Sequence, residues 1–343
     1  MRAAERGTTS GLAERFGRFL ADSSGLADLV VTDAHRAVAG FSWESWILDT
    51  AWDRGRRERR LVARRAPEFG LLDRYDVVEQ WDLQRVLWEG GTVPCPEPLW
   101  LEATGEATGR PFYVMDLVEG VVPTPADLEE TLPEERTRVG LVGDLARVGA
   151  EIHRTPLDVL PGALPGTDDA RPEREVSVWH ETYLRDRPQP IPILDLAFAW
   201  LLDNRARISP RRTLVHGDYR LANVIARGGT VAAMLDWEGA HVGDPVEDLA
   251  NCCMRLQGGG VDTVNGVVST KDFLALYARL AGEPVSEDAF RYWLVFNDVR
   301  SAVVFLTAAR RFQEGRTGDL RFPVLASRLP NLLRHVLRDL PDR

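Results

Sequence analysis

Eight consecutive residues, His216-Gly217-Asp218-Tyr219-Arg220-Leu221-Ala222-Asn223, follow the apolar run Thr213-Leu214-Val215 and set a carboxamide five positions after a carboxylate. Thirteen residues beyond Asn223, where Val231 to Leu235 reads as the end of a short strand, stands Asp236, followed by Trp237 and Glu238. This set suits phosphoryl transfer. An attacking hydroxyl needs a carboxylate beside it, which Asp218 supplies, and Mg²⁺ on the phosphates takes hard oxygen ligands, which Asn223 and Asp236 supply. A turn-capping Asp would explain Asp218 alone, but not the whole set with both strands in place. Arg220, in the same loop, is open to two roles: contact with substrate or phosphate, or pairing with an acidic neighbour. His216 reads as a support that orients the loop by hydrogen bonds. Asp244 and Asp248, around Pro245, read as N-caps and a loop anchor for the next helix.

The elements that must position these residues fall into two groups. Leu12, Phe16, Phe19 and Leu20 recur at helical spacing and predict an N-terminal helix within residues 1–24. Strands are expected at Leu29–Thr32, Phe41–Thr50 and Arg60–Arg65, with Arg54 to Arg60 as a charged turn. A helix follows at Asp73–Glu89, with Val77, Trp81, Val86 and Leu87 on its buried side, then strands at Pro98–Glu102 and Pro111–Val118. Beyond Gly120 the pattern turns helical, at Glu134–His153, Glu173–Asp186 and Ile193–Ile208. Strands at Thr213–Val215 and Val224–Asp236 carry the motif, and helices run from Pro245 onward. The expectation is an α+β chain with a β-rich unit over 25–120 and a helical unit over 121–343, which the length of 343 residues accommodates.

Composition narrows the partners. A net charge of -10 argues against a nucleic-acid partner. Lys271 is the only lysine, so any task usual for lysine falls to arginine. Three cysteines, Cys95 and the adjacent Cys252 and Cys253, with no zinc spacing, predict a reduced, cytoplasmic protein without a structural metal. The charged stretch Met1 to Ser10 is not expected to be a signal peptide. Leu294 to Ala309 is apolar but holds Asn297, Asp298 and Arg300, so it is expected to be a buried helix and not a membrane span.

The segment His216 to Asn223, with Leu235-Asp236-Trp237-Glu238 and Gly243-Asp244-Pro245, resembles the aminoglycoside phosphotransferase and choline kinase-like family. Within that family it is most similar to the kinase domains fused to acyl-CoA dehydrogenases, over roughly residues 25–310. The resemblance implies a protein-kinase-like two-lobed fold, with a five-stranded sheet and one helix in the N-terminal lobe, a hinge, and a helical C-terminal lobe. It implies ATP or GTP with Mg²⁺ as cofactors and a small-molecule hydroxyl as acceptor.

Ala39-Gly40-Phe41-Ser42-Trp43-Glu44-Ser45-Trp46 matches the family's nucleotide loop, so Ser42 and Ser45 are expected at the phosphates. Arg64 takes the place of the phosphate-binding lysine, with Arg65 facing the other way by strand alternation. The helix glutamate falls at Glu79 or Gln80. Pro111 to Gly120 resembles the hinge, with Met115 behind the adenine and the backbones of Asp116 and Val118 at the base edge. Trp293, Asn297 and Arg300 share one helical face and are the expected acceptor contacts. A hydroxyacyl acceptor is favoured, an aminoglycoside or macrolide is the alternative, and the missing lysine keeps open a binding module without activity.

Overall fold

The computed structural model describes residues 2–37, 42–168, 173–258 and 260–340. Ala39, Gly40 and Phe41 of the expected nucleotide loop lie outside these. The chain divides into two units: Met1–Glu89 with Pro96–Val118, and Gly90–Cys95 with Glu119–Arg343. The N-terminal helix thus belongs to the first unit.

The first unit contains α1 (Arg2–Ser24), β1 (Val30–Arg36), β2 (Glu44–Trp52), β3 (Arg57–Arg65), α2 (Val77–Gly90), β4 (Pro98–Glu102) and β5 (Phe112–Asp116). The strands form an antiparallel five-stranded sheet in the order β1-β2-β3-β5-β4. Strand alternation sorts its side chains. Leu61 and Ala63 of β3, with Phe112 and Val114, pack against Phe16 and Leu20 of α1. Val62 turns to the opposite face, where Trp43, Val77, Tyr113 and Met115 form a second cluster.

Two of the boundaries that differ from the sequence reading have a plain physical cause. The charged run is mostly strand, because β2 and β3 stay paired out to Trp52 and Arg57 and a tight turn with Asp53, Arg54 and Gly55 at positive φ closes them. Helix α2 starts at Val77 and not at Asp73, since Asp76 Oδ1 accepts the Glu79 N–H at 3.0 Å and caps it.

The second unit contains α3 (Leu128–Thr131), α4 (Glu135–Ile152), α5 (Arg174–Asp186) and α6 (Pro192–Asp203), then β6 (Thr213–Val215), β7 (Val224–Arg227), β8 (Thr230–Met234) and β9 (His241–Gly243). After these come α7 (Val246–Cys252), β10 (Thr263–Val264), β11 (Val268–Ser269), α8 (Thr270–Ala281), α9 (Glu287–Gln313), α10 (Arg321–Ala326) and α11 (Leu329–Asp339). The expected strand Val224–Asp236 is a hairpin of β7 and β8, turned at Gly228 and Gly229, and Asp236 lies past its end with φ 62°. β6 pairs with β9, so the segment before the catalytic motif and the segment before α7 are side by side. The long α9 runs through the core of this unit, with Tyr292, Trp293, Phe296, Val299 and Val303 packed in one cluster. Among the described residues no helix is long and apolar enough to cross a membrane.

Candidate active site

Asp248, on α7 and fully buried, organises the motif loop. Its Oδ2 accepts the His216 N–H at 2.7 Å and its Oδ1 the Gly217 N–H at 2.9 Å. His153, just past the end of α4, contacts the same carboxylate through Nε2 at 3.1 Å, and its Nδ1 reaches Tyr277 of α8 at 2.7 Å. Burial disfavours the charge, but the His153 bond, the neighbouring histidines and the backbone N–H groups outweigh it and hold the Asp248 carboxyl below the usual range. Gly217 has φ +79°, and a Cβ there would lie 2.1 Å from the Gly239 carbonyl oxygen, so only glycine fits. His216 Nε2 meets the Leu235 carbonyl at 2.8 Å while its Nδ1 accepts the Asp218 N–H at 3.2 Å. That fixes the proton on Nε2 and makes His216 a support, as expected.

The reactive end of the loop is partly open: the Asp218 side chain is 37% exposed. Asn223 Nδ2 donates to Asp218 Oδ2 at 2.7 Å and to the Asp218 carbonyl at 2.8 Å. Arg220 Nε donates to the same carboxylate at 3.0 Å. Of the two roles open to Arg220, the structure places it in the ion pair. Burial pushes the Asp218 carboxyl up, but the positive charges of Arg220 and Arg300 and the Asn223 bond prevail and hold it below the ordinary carboxylate range. The same pairing, led by Asp218 and aided by Asp236 and Glu238, raises Arg220.

With both Asn223 amide hydrogens committed to Asp218, its Oδ1 is left as an acceptor. The Leu235 N–H donates to the Asn223 carbonyl at 2.8 Å and brings the start of the Asp236 segment to the loop. One amide oxygen and one carboxylate fit a hard cation that keeps water and phosphate as its other ligands. Among the described residues no three His, Cys, Asp or Glu side chains cluster to hold a metal by themselves.

In the first unit, β3 separates its two arginines. Arg65 is clamped: its Nη1 pairs with Glu44 at 2.9 Å and its Nη2 donates to the Thr108 carbonyl at 2.7 Å. Arg64 turns to the other face, where its guanidinium carbon lies 5.6 Å from the Trp43 ring centroid. Ser45 is the cross-strand partner of Arg64 and shares that face. Ser42 sits half-buried in the bend just before β2. On α2, Gln80 is buried on the inner side, whereas Glu79 pairs with Arg74 at 3.3 Å. Of the expected inner positions, Val77 and Leu87 are buried, half-buried Trp81 packs on Tyr113, and Val86 is half-buried; Gln80, Leu83 and Gln84 complete that side. Gln84 Nε2 donates to the Pro96 carbonyl at 2.8 Å, contacts Met115 Sδ at 3.3 Å, and its Oε1 accepts the Tyr113 hydroxyl at 3.1 Å, which fixes β5. At the hinge, the Asp116 N–H is spent on the Glu97 carbonyl at 2.9 Å and its carboxylate holds Arg59, so only its carbonyl is left for a base edge. Val118 follows Leu117, whose N–H closes the β3–β5 ladder on Arg60.

The expected acceptor face on α9 is corrected by its burial. Trp293 and Asn297 are 0% exposed. Trp293 Nε1 donates to Asp244 Oδ2 at 2.7 Å, and Asn297 Nδ2 donates to the Glu247 carbonyl at 2.9 Å. Arg300 pairs with Glu247 at 3.0 Å and its side chain is 11% exposed. These residues face α7 inside the unit, because a polar group on a core helix must find a partner there. Glu247 also takes the His241 Nε2 at 3.2 Å, while His241 Nδ1 meets the Gly239 carbonyl at 2.9 Å. Burial alone would lower His241, but Glu175 and Glu247 override it and push it up to about 10. Sequence reasoning missed Glu247, His153 and His241. Of the two aspartates expected as N-caps and a loop anchor, Asp244 Oδ1 takes the Val246 N–H at 3.0 Å at the start of α7, and Asp248 anchors the motif loop.

Residues 41–283 match the phosphotransferase enzyme family, and the chain belongs to that family. Among curated proteins it is similar to acyl-CoA dehydrogenase family member 11 of Rattus norvegicus, with 29% identity over 237 residues, 64% of this chain and 30% of that protein. The match thus spans less than a third of that relative. Among solved structures, a candidate aminoglycoside phosphotransferase from Ralstonia eutropha superposes with a TM-score of 0.71 at 21% identity, covering 95% of this chain and 97% of that one. The GDP and kanamycin complex of APH(2")-IIIa gives 0.64 at 16% identity, over 94% and 98%. The fold is therefore the protein-kinase-like α+β fold of the aminoglycoside phosphotransferases.

Proposed function

We propose that the chain is an O-phosphotransferase that uses ATP or GTP with Mg²⁺ and acts on the hydroxyl of a small molecule, a hydroxyacyl compound foremost. The observation that carries this reading is the state of Asp218: partly exposed, charged, and held between Asn223 and Arg220 on a loop pinned by Asp248. In the step, the acceptor oxygen bonds to the γ-phosphorus as the bond from that phosphorus to the β–γ bridging oxygen breaks, and the hydroxyl proton passes to the Asp218 carboxylate. A carboxyl held low is a weak base, suited to orienting the hydroxyl and taking its proton late, which the loose transition state of phosphoryl transfer allows. Bound Mg²⁺, held by Asn223 and Asp236, would neutralise phosphate charge.

In the first unit, Arg64, Ser45 and Ser42 address the phosphates, with Met115, the Asp116 carbonyl and Val118 at the base. An arginine fork can grip phosphate by two bonds. The hydroxyacyl preference is supported by the acyl-CoA dehydrogenase relatives and no longer by α9, whose polar residues are spent inside the core. Among the described residues the three cysteines form no disulfide with one another, in keeping with a reducing, cytoplasmic setting. Arginine in place of lysine and the inward Gln80 favour one competing reading, a nucleotide-binding module without transfer.

The test is phosphorylation by γ-labelled nucleotide, comparing kcat/KM for hydroxyacyl-CoAs and for kanamycin in one assay. Higher kcat/KM on a hydroxyacyl-CoA is expected. Preference for kanamycin overturns the acceptor class, and Mg²⁺-dependent nucleotide binding without transfer to any hydroxyl overturns the enzymatic reading.

A further inference from the structure

We propose that Arg300 is a positioning residue for the motif loop: its guanidinium fork orients the Asn251 carboxamide, which in turn holds the Tyr219 carbonyl and fixes the backbone that carries Asp218. The inference rests on the reading of Asp218 as the base for the acceptor hydroxyl and goes beyond it, since Asn251 has no part in that reading.

Asn251 stands on α7, three positions after Asp248 and four after Glu247, so the three share one face of that helix. All three are buried, Asn251 at 2% exposure. Arg300 of α9 spans one turn of this face. Its Nη1 donates to Glu247 Oε1 at 3.0 Å and its Nη2 to Asn251 Oδ1 at 2.6 Å. A guanidinium has donors only, so the amide oxygen must face Arg300 and the amide nitrogen must face away. That nitrogen then donates to the Tyr219 carbonyl at 3.2 Å. Arg300 is itself held in place. The other Glu247 oxygen contacts His241 Nε2 at 3.2 Å, Asn297 donates to the Glu247 carbonyl at 2.9 Å, and the Phe296 ring centroid lies 5.8 Å from the guanidinium carbon.

The loop is thereby gripped on both sides of Asp218. Asp248 takes the N–H groups of His216 and Gly217 before it, and Asn251 takes the carbonyl of Tyr219 after it. A glycine backbone turns more freely than any other, so anchors at 216 and 217 leave the direction of Asp218 to be set from its other side. A base works only within hydrogen-bond reach of the proton it takes, so a small rotation here removes Asp218 from its task. Lysine at position 300 would keep the charge, but one ammonium lacks the fork that spans Glu247 and Asn251 and would leave the amide free to turn over.

The test uses the full chain with γ-labelled ATP and whichever of a hydroxyacyl-CoA and kanamycin the wild type phosphorylates faster. It measures kcat per folded enzyme, acceptor KM, MgATP Kd and melting temperature in wild type, Asn251→Leu, Asn251→Asp, Arg300→Lys and the double variant Asn251→Leu/Arg300→Lys. Each single variant is expected to lower kcat by about 10- to 100-fold, the scale of a displaced catalytic group, with acceptor KM and MgATP Kd little changed. Asn251→Asp keeps the shape and the Arg300 bond but cannot donate to Tyr219, so it carries the test where Asn251→Leu does not fold. The double variant should be no slower than the slower single one, because both changes break one chain of contacts. Variants that melt earlier but keep the wild-type kcat, losses that add in the double variant, or a several-fold rise in acceptor KM at unchanged kcat overturn the proposal and leave the phosphotransferase reading standing. Wild-type protein that transfers to neither acceptor overturns both.

Discussion

The motif loop 216–223 and the α9 segment 293–300 use similar residues to opposite ends. In the loop, Asp218 keeps 37% of its side chain exposed and its bonds run to Asn223 and Arg220 beside it. On α9, Trp293 and Asn297 are wholly buried and bond to Asp244 and Glu247 on α7. Both sets are hydrogen-bonded, so the presence of hydrogen bonds does not by itself separate a reactive group from a structural one. What separates them is where the bonds leave a lone pair. The Asp218 carboxylate keeps acceptor capacity at a partly exposed end, whereas the α9 donors are consumed against a helix in the core and the unbonded Oδ1 of Asn297 is sealed from solvent. The two regions meet electrostatically, since Arg300, paired with Glu247, still helps hold Asp218 ionised.

Substitutions can break this contrast. The largest effect is expected from Asp218→Asn, which should lower kcat by roughly 10²–10⁴, the usual contribution of a positioned general base, with little change in nucleotide Kd. Steady-state kinetics and titration of MgATP check both halves. Next is Asp248→Asn. It removes a buried charge that holds two backbone N–H groups and His153, so chemical denaturation should show a loss of about 3–5 kcal/mol. Asn297→Ala should cost about 1–3 kcal/mol of stability, as for a buried polar group left unpaired, and leave the acceptor KM unchanged. A KM that rises several-fold with stability intact would return α9 to the acceptor site.

The last expected effect is a pH dependence. His241 is raised from about 6.5 to about 10 in the folded protein, so its contribution to stability is complete below about pH 6.5 and is lost as pH rises through about 10. Melting temperatures measured across that window should fall toward high pH, and His241→Gln should flatten the slope.

The loop was legible in the sequence because phosphate and metal demand fixed residue types at fixed spacing, and no packing need produces that set. The division between Arg64 and Arg65 was legible because a strand alternates with period two, and their separate partners bear it out. Glu79 against Gln80 was not, because the answer depends on where α2 begins, and the Asp76 cap moves that start to Val77. The α9 face was misread because spacing of i, i+4 and i+7 says which side chains lie together and not what they face. On a helix buried nearly all round, polar residues turn to internal partners. The partners of Asp248 were not legible, because its bonds to His216 and Gly217 cross 32 and 31 residues of chain and no local pattern carries that pairing.

The most direct test of the account is single-turnover transfer of label from γ-labelled ATP to a hydroxyacyl-CoA, with wild type and Asp218→Asn at matched, saturating nucleotide. The account predicts transfer by wild type only with Mg²⁺ present, and a rate lower by roughly 10²–10⁴ in Asp218→Asn despite equal nucleotide occupancy. Transfer at the wild-type rate by Asp218→Asn would contradict it.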